Sequence, residues 1–89
     1  MIEKKVVLKN RLGLHARAAS LLVNVAKKFN SSIHIIKDSE EVNAKSILGI
    51  LTLSASKGSE LIIRAQGDDE QEAIREIEEL IEKKFYEED

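Results

Sequence analysis

The stretch Leu12-Gly13-Leu14-His15-Ala16-Arg17-Ala18-Ala19 sets one of only two histidines between a glycine turn and an alanine-rich run. A run of that kind starts a helix. A helix start leaves backbone N–H groups without intrahelical partners at the positive end of the helix dipole, so an anion is stabilised there without a dedicated cavity. With His15 at the N-cap position before Ala16, its ring can hold a group over the amides of Ala16 and Arg17. Arg17 adds a planar guanidinium that grips phosphate or carboxylate oxygens. A neutral imidazole inside such a collar is what a transient phosphohistidine requires. The plainer reading is that His15 only caps a helix. Histidine is not a preferred cap, since Ser, Thr, Asp and Asn are, but residue types alone leave both readings open.

A second helix start repeats the arrangement in Asn43-Ala44-Lys45-Ser46-Ile47-Leu48-Gly49-Ile50-Leu51. Ser46 is a good N-cap for a short helix. A phosphate on its hydroxyl would also lie at a helix N-terminus, so modification there would add roughly two negative charges to a surface without unfolding it. Ile47, Leu48, Ile50 and Leu51 cannot all face one core from so short a helix. Ile50 is expected inward, with Ile47, Leu48 and Leu51 partly exposed as a docking patch. His34 lies mid-strand with no acid nearby in sequence and reads as structural. Two histidines so placed give no metal site, and no cofactor is implied.

These groups must be positioned by short elements. The β-branched run around Val6-Val7-Leu8 predicts a strand over residues 2–9, followed by a loop over 10–14 with Gly13 at its turn. Ala19, Leu22, Val23, Ala26 and Phe29 recur at helical spacing, with Lys27 and Lys28 in the last turn and Asn30-Ser31-Ser32 as the stop. Residues 33–37 read as a second strand, 38–41 as a turn and Val42-Asn43 as a short return strand. The short helix after Ser46, weakened by Gly49, leads into a small-residue loop over 52–59 and a fourth strand over 60–65. Asp69 with Glu72 three residues on reads as a capping box. Ala73, Ile74, Ile77, Leu80, Ile81 and Phe85 then mark one face of the last helix. Segments this short share one core, so four strands in one sheet with helices on one face is the economical α+β solution. Residues 1–89 read as a single domain without linker or repeat.

Composition narrows the function. A hydrophobic share of 43% beside 34% charged residues suits a folded chain, not a disordered one. The net charge of −2 and the 3% aromatic content argue against nucleic acid as a partner, whether by bulk attraction or by stacking on the sheet. The same charge argues against an anionic membrane. Without cysteine there is no thiolate nucleophile, and no acid stands in sequence at an obvious position to orient His15, so a hydrolytic enzyme finds no support. No apolar h-region or membrane-length run is visible, so a cytoplasmic protein is expected. The small, highly charged surface suggests a monomer.

Gly13-Leu14-His15-Ala16-Arg17-Ala18-Ala19 and Asn43-Ala44-Lys45-Ser46-Ile47-Leu48-Gly49 together resemble the HPr family, the histidine-containing phosphocarriers of the bacterial phosphoenolpyruvate:sugar phosphotransferase system. The resemblance covers essentially the whole chain. It implies an open-faced β-sandwich, a four-stranded antiparallel sheet covered on one face by three helices. It implies that His15 takes phosphate on Nδ1 from phosphorylated enzyme I and passes it to an enzyme IIA domain for sugar uptake, with Arg17 on the phosphoryl group. Such a protein is a substrate of enzymes, not an enzyme itself. Ser46 would match the regulatory site of HPr kinase/phosphorylase, through which some relatives serve a catabolite control regulator. Ile47, Leu48 and Leu51 would match the docking surface. A relative acting mainly through Ser46, in nitrogen or catabolite control, is the alternative. The family usually has proline where this chain has Ala18, which leaves the helix intact and adds a third amide, after those of Ala16 and Arg17, to the phosphate site.

Overall fold

A computed structural model describes residues 1–87. Its order is β1 (Ile2–Val7), α1 (Ala16–Ala26), β2 (Ser32–Lys37), β3 (Glu40–Asn43), α2 (Ile47–Thr52), β4 (Glu60–Gln66) and α3 (Glu70–Glu82), closed by a short 3₁₀ turn at Lys84–Tyr86. The four strands form one antiparallel sheet in the order β1-β4-β2-β3. Register alternates cleanly across it. Val6 pairs with Leu61, and Ile35 pairs with Ile63, on the helix-covered face. Those four side chains are buried together with Ile33 and Ala65, because a strand turns every second residue to the same side. The helices complete that core: α3 packs on β1 and β4, and α1 packs on both α2 and α3.

The other face meets solvent and carries a polar ladder. Arg64 Nε donates to Glu3 Oε2 at 2.6 Å and its Nη1 donates to Glu41 Oε1 at 2.9 Å. His34 belongs to this ladder, opposite Arg64 and Asn43. Its Nδ1 lies 4.0 Å from Glu41 Oε2, so an acid does stand beside it, brought there by strand pairing.

Several boundaries differ from the sequence reading. β1 stops at Val7, and Leu8 leaves the sheet yet stays buried, its N–H donating to Ser59 O and its carbonyl accepting from Gly58 N–H. The hairpin turn is only Asp38-Ser39, so β3 begins at Glu40; Asp38 takes φ 55°, a conformation aspartate tolerates. α1 ends at Ala26, and Phe29 reaches the core from beyond its end. Phe85 likewise lies off the last helix. Lys84, Phe85 and Tyr86 have φ of 56°, 55° and 59°, three successive left-handed residues that turn the chain back. Each such residue costs about 1–2 kcal/mol, and the burial of Phe85 to 2% exposure works against that cost.

The capping box is also corrected. Asp69 occupies the N-cap of α3, but its carboxylate makes no bond to its own helix. It accepts instead from Asn30 N–H at 2.8 Å, from Ser31 N–H at 3.0 Å and from the Ser31 hydroxyl. Those bonds pin the α1–β2 connection to the start of α3. Glu70, one residue on, accepts from Gly67 N–H at 3.0 Å.

The Ser31 hydroxyl and then the Asn30 amide hold the Asp69 carboxyl below its ordinary value of 3.8, against the opposing effect of desolvation. Its contribution to stability is therefore complete above that ordinary value and disappears as pH falls through the lower folded value. Asp69→Ala is expected to lower the urea midpoint at neutral pH, and the gap to the parent protein should close in acid. A gap that stays constant down the acid limb would show that the pin contributes nothing through its charge.

Candidate functional site

The site begins in the loop after β1. Asn10 is fully buried, and its Nδ2 donates to Gly13 O at 2.7 Å. Its Oδ1 has no partner. Gly13 adopts φ +65°, and a Cβ there would lie 2.4 Å from Ala55 O, so only glycine fits both the turn and the close approach. Leu14 is buried, and its N–H donates to Ala55 O at 2.9 Å. Anchored in this way, the chain enters α1 with His15 extended at the N-cap.

The ring of His15 is bracketed. Arg17 N–H donates to Nδ1 at 3.2 Å. Nε2 lies 2.7 Å from Glu87 Oε2. An N–H donor at Nδ1 and a carboxylate at Nε2 assign the same neutral tautomer, with the proton on Nε2 and the lone pair on Nδ1. Glu87 is itself well held: Asn10 Nδ2 donates to the same Oε2 at 2.6 Å, and its side chain is only 12% exposed. Burial pushes the Glu87 carboxyl up, but hydrogen bonds from His15, Asn10 and the Leu12 N–H outweigh it and leave the group below the ordinary glutamate value. An acid therefore does orient His15, contrary to the expectation from sequence. It comes from 72 positions away, after the last periodic segment, where no pattern marks it.

His15 and Arg17 share a cleft of about 420 Å³ with Arg11, Leu12, Phe85, Tyr86 and Glu87. A larger hollow of about 480 Å³ lies between α1 and α3 and holds neither histidine. The two guanidiniums, the helix start and a half-buried ring with a directed lone pair suit an anionic group that is to be bonded to nitrogen. Arg11 and the exposed apolar rim residues Leu12 and Tyr86 escaped the sequence reading. A basic residue four positions before the histidine was the one signal available. Ala16 and Arg17 are exposed and Ala18 is buried, and α1 runs through all three without a break.

Ser46 and its neighbours do not line this cleft. The Ser46 Oγ accepts from Gly49 N–H at 3.0 Å and caps α2, as expected. Ile50 is fully buried, Ile47 and Leu48 are 43% and 77% exposed, and Leu51 is half-buried against the core. Among the described residues no cluster of three or more His, Asp or Glu side chains could hold a metal, and no helix is long and apolar enough to cross a membrane.

The family model for the PTS HPr component phosphorylation site matches residues 2–83. The chain belongs to the HPr family. Phosphocarrier protein HPr of Treponema pallidum is 46% identical over 88 residues, covering 99% of this chain and all of that one. The HPr-like protein Crh of Bacillus subtilis is 44% identical over 86% of this chain and 91% of its own. The crystal structure of HPr-C-His from Thermoanaerobacter tengcongensis superposes with a TM-score of 0.95 at 51% identity, covering 99% of each chain. The open sheet with three helices is thus the HPr fold, as the resemblance implied.

Gly13→Ala tests the loop that delivers His15. The left-handed φ alone should cost about 1–2 kcal/mol, and the contact with Ala55 O adds to it, so a lower urea midpoint is expected together with shifted amide resonances at Leu14 and His15. Unchanged stability would mean that the loop is free to relax and does not fix the ring.

Proposed function

We propose that the protein is a phosphocarrier that accepts a phosphoryl group on His15 Nδ1 from phosphorylated enzyme I and donates it to enzyme IIA domains in sugar uptake. The observation that carries this reading is the agreement of both ring contacts on a lone pair at Nδ1, directed at the start of α1. When the phosphoryl group arrives, the Arg17 N–H that now meets Nδ1 is released to a phosphoryl oxygen, with the amides of Ala16 and Ala18 beside it. Arg17 pairs with the remaining charge. The half-buried ring at a cleft mouth can be reached by two partners in succession, as in-line transfer demands.

Ser46 is the regulatory position in this reading, modified by HPr kinase/phosphorylase and read in turn by a catabolite control regulator. Its hydroxyl already serves a helix N-terminus, where phosphate is electrostatically welcome. The change it makes is therefore one of surface charge beside Ile47, Leu48 and Leu51, the apolar residues proposed to dock partners. Cytoplasmic location follows from those partners.

Incubation with phosphoenolpyruvate and enzyme I should add one acid-labile phosphoryl group by intact mass, absent in His15→Ala. Arg17→Ala should slow the transfer about 10²-fold, the usual loss for one preorganised donor to developing charge. If the parent protein takes no group on histidine but is phosphorylated on Ser46 by the kinase, the regulatory alternative replaces the carrier.

A further inference from the structure

The family match ends at residue 83, and the segment that follows is put to a definite use. Phe85 is buried, the left-handed turn at Lys84–Tyr86 reverses the chain, and Glu87 comes to rest on His15 with Asn10 as a second donor to the same oxygen. A carboxylate held by two donors, the Asn10 amide and the His15 ring, at 12% side-chain exposure, is a built contact and not a loose tail.

We infer that Glu87 is a positioning residue for phosphoryl transfer: its carboxylate keeps the proton on Nε2 of His15, so that Nδ1 is the nucleophile, and balances the charge that the ring acquires. The inference rests on the carrier reading. As the Nδ1 lone pair forms the N–P bond, the bond from phosphorus to the donor's leaving atom breaks and its electron pair departs with the donor. The ring, still protonated at Nε2, becomes a phosphoimidazolium. Its positive charge then lies against Oε2 of Glu87. In the onward step the N–P electron pair returns to Nδ1 and the ring is neutral again with the same proton. No proton enters or leaves in either direction. A carboxylate that gains strength as the ring charges favours the transition state over the resting ring.

The test uses Glu87→Gln, Glu87→Ala and a chain ending at Tyr86, which retains the Phe85 anchor. The ¹⁵N shifts of the neutral His15 ring report the tautomer, and single-turnover phosphorylation by enzyme I reports transfer. The parent protein should show Nε2 protonated and Nδ1 bare. Glu87→Gln keeps an acceptor oxygen and should retain that tautomer, yet transfer about tenfold more slowly because the charge is gone. Glu87→Ala and the shortened chain should mix the tautomers and slow at least as much. Urea midpoints within error of the parent separate this from loss of fold. Parent shifts and parent rates in all three variants would overturn the inference, as would slowing that only follows loss of stability. If the parent protein takes no phosphoryl group, the carrier reading fails, whereas the ring shifts still decide whether Glu87 sets the tautomer.

Discussion

β1 and α3 have matched lengths, and the position of the site depends on that match. Six strand residues at about 3.3 Å each span about 20 Å. Thirteen helical residues at about 1.5 Å span about the same. The two elements run side by side in one direction, as a string of ion pairs records: Met1 amino with Glu70, Lys4 with Glu78, Lys9 with Glu82. Exposed pairs of this kind contribute little stability, about 0–1 kcal/mol each, so they report the alignment and do not cause it. The cause is burial of the apolar stripe of α3, with Ala73, Ile74, Ile77, Leu80 and Ile81 all facing the core. A helix one turn shorter would stop before the loop that follows β1. At its actual length the chain leaves α3 beside Asn10, and one reversed turn is enough to put Glu87 on His15.

The same logic explains the second tie. Asp69 at the start of α3 holds Asn30 and Ser31 at the end of the α1 region, and Lys28 pairs with Glu76 at 2.5 Å between them. α3 thus contacts the α1 unit at both of its ends, through Asp69 at one and through the tail that follows it at the other. The antiparallel sheet in the order β1-β4-β2-β3 supplies the flat support. The start of α1 is fixed by long-range contacts, although the backbone amides proposed to meet a phosphoryl group are local to residues 16–18. A shallow site gains rigidity in this way without being enclosed.

What was legible in the sequence follows the range of each interaction. The His15 and Ser46 caps reach only two and three residues along the chain, so residue type and spacing were enough to find both. The inward Ile50 and the stripe of α3 followed from periodicity for the same reason. Asp69 was misread because a local rule, the capping box, competed with a contact 38 positions away that only the folded chain reveals. Phe85 continued the helical spacing but not the helix. Its buried ring needs the pocket at the end of α3, and three left-handed residues were the backbone solution, which no propensity would select.

Glu87 is the limiting case. In sequence it is one of several acids in a charged tail, a solvated end by any compositional argument. In the fold its carboxylate lies on the His15 ring, and a carboxylate at one ring nitrogen defines the electronic state of the other. An imidazole alone offers two nitrogens as nucleophiles, and the N–H of Arg17 at 3.2 Å is a weak selector between them. The charge-assisted contact at 2.7 Å is the stronger one. The helix N-terminus and the arginines of the cleft suit an anion, and the stronger of the two contacts on the ring comes from 72 positions along the chain.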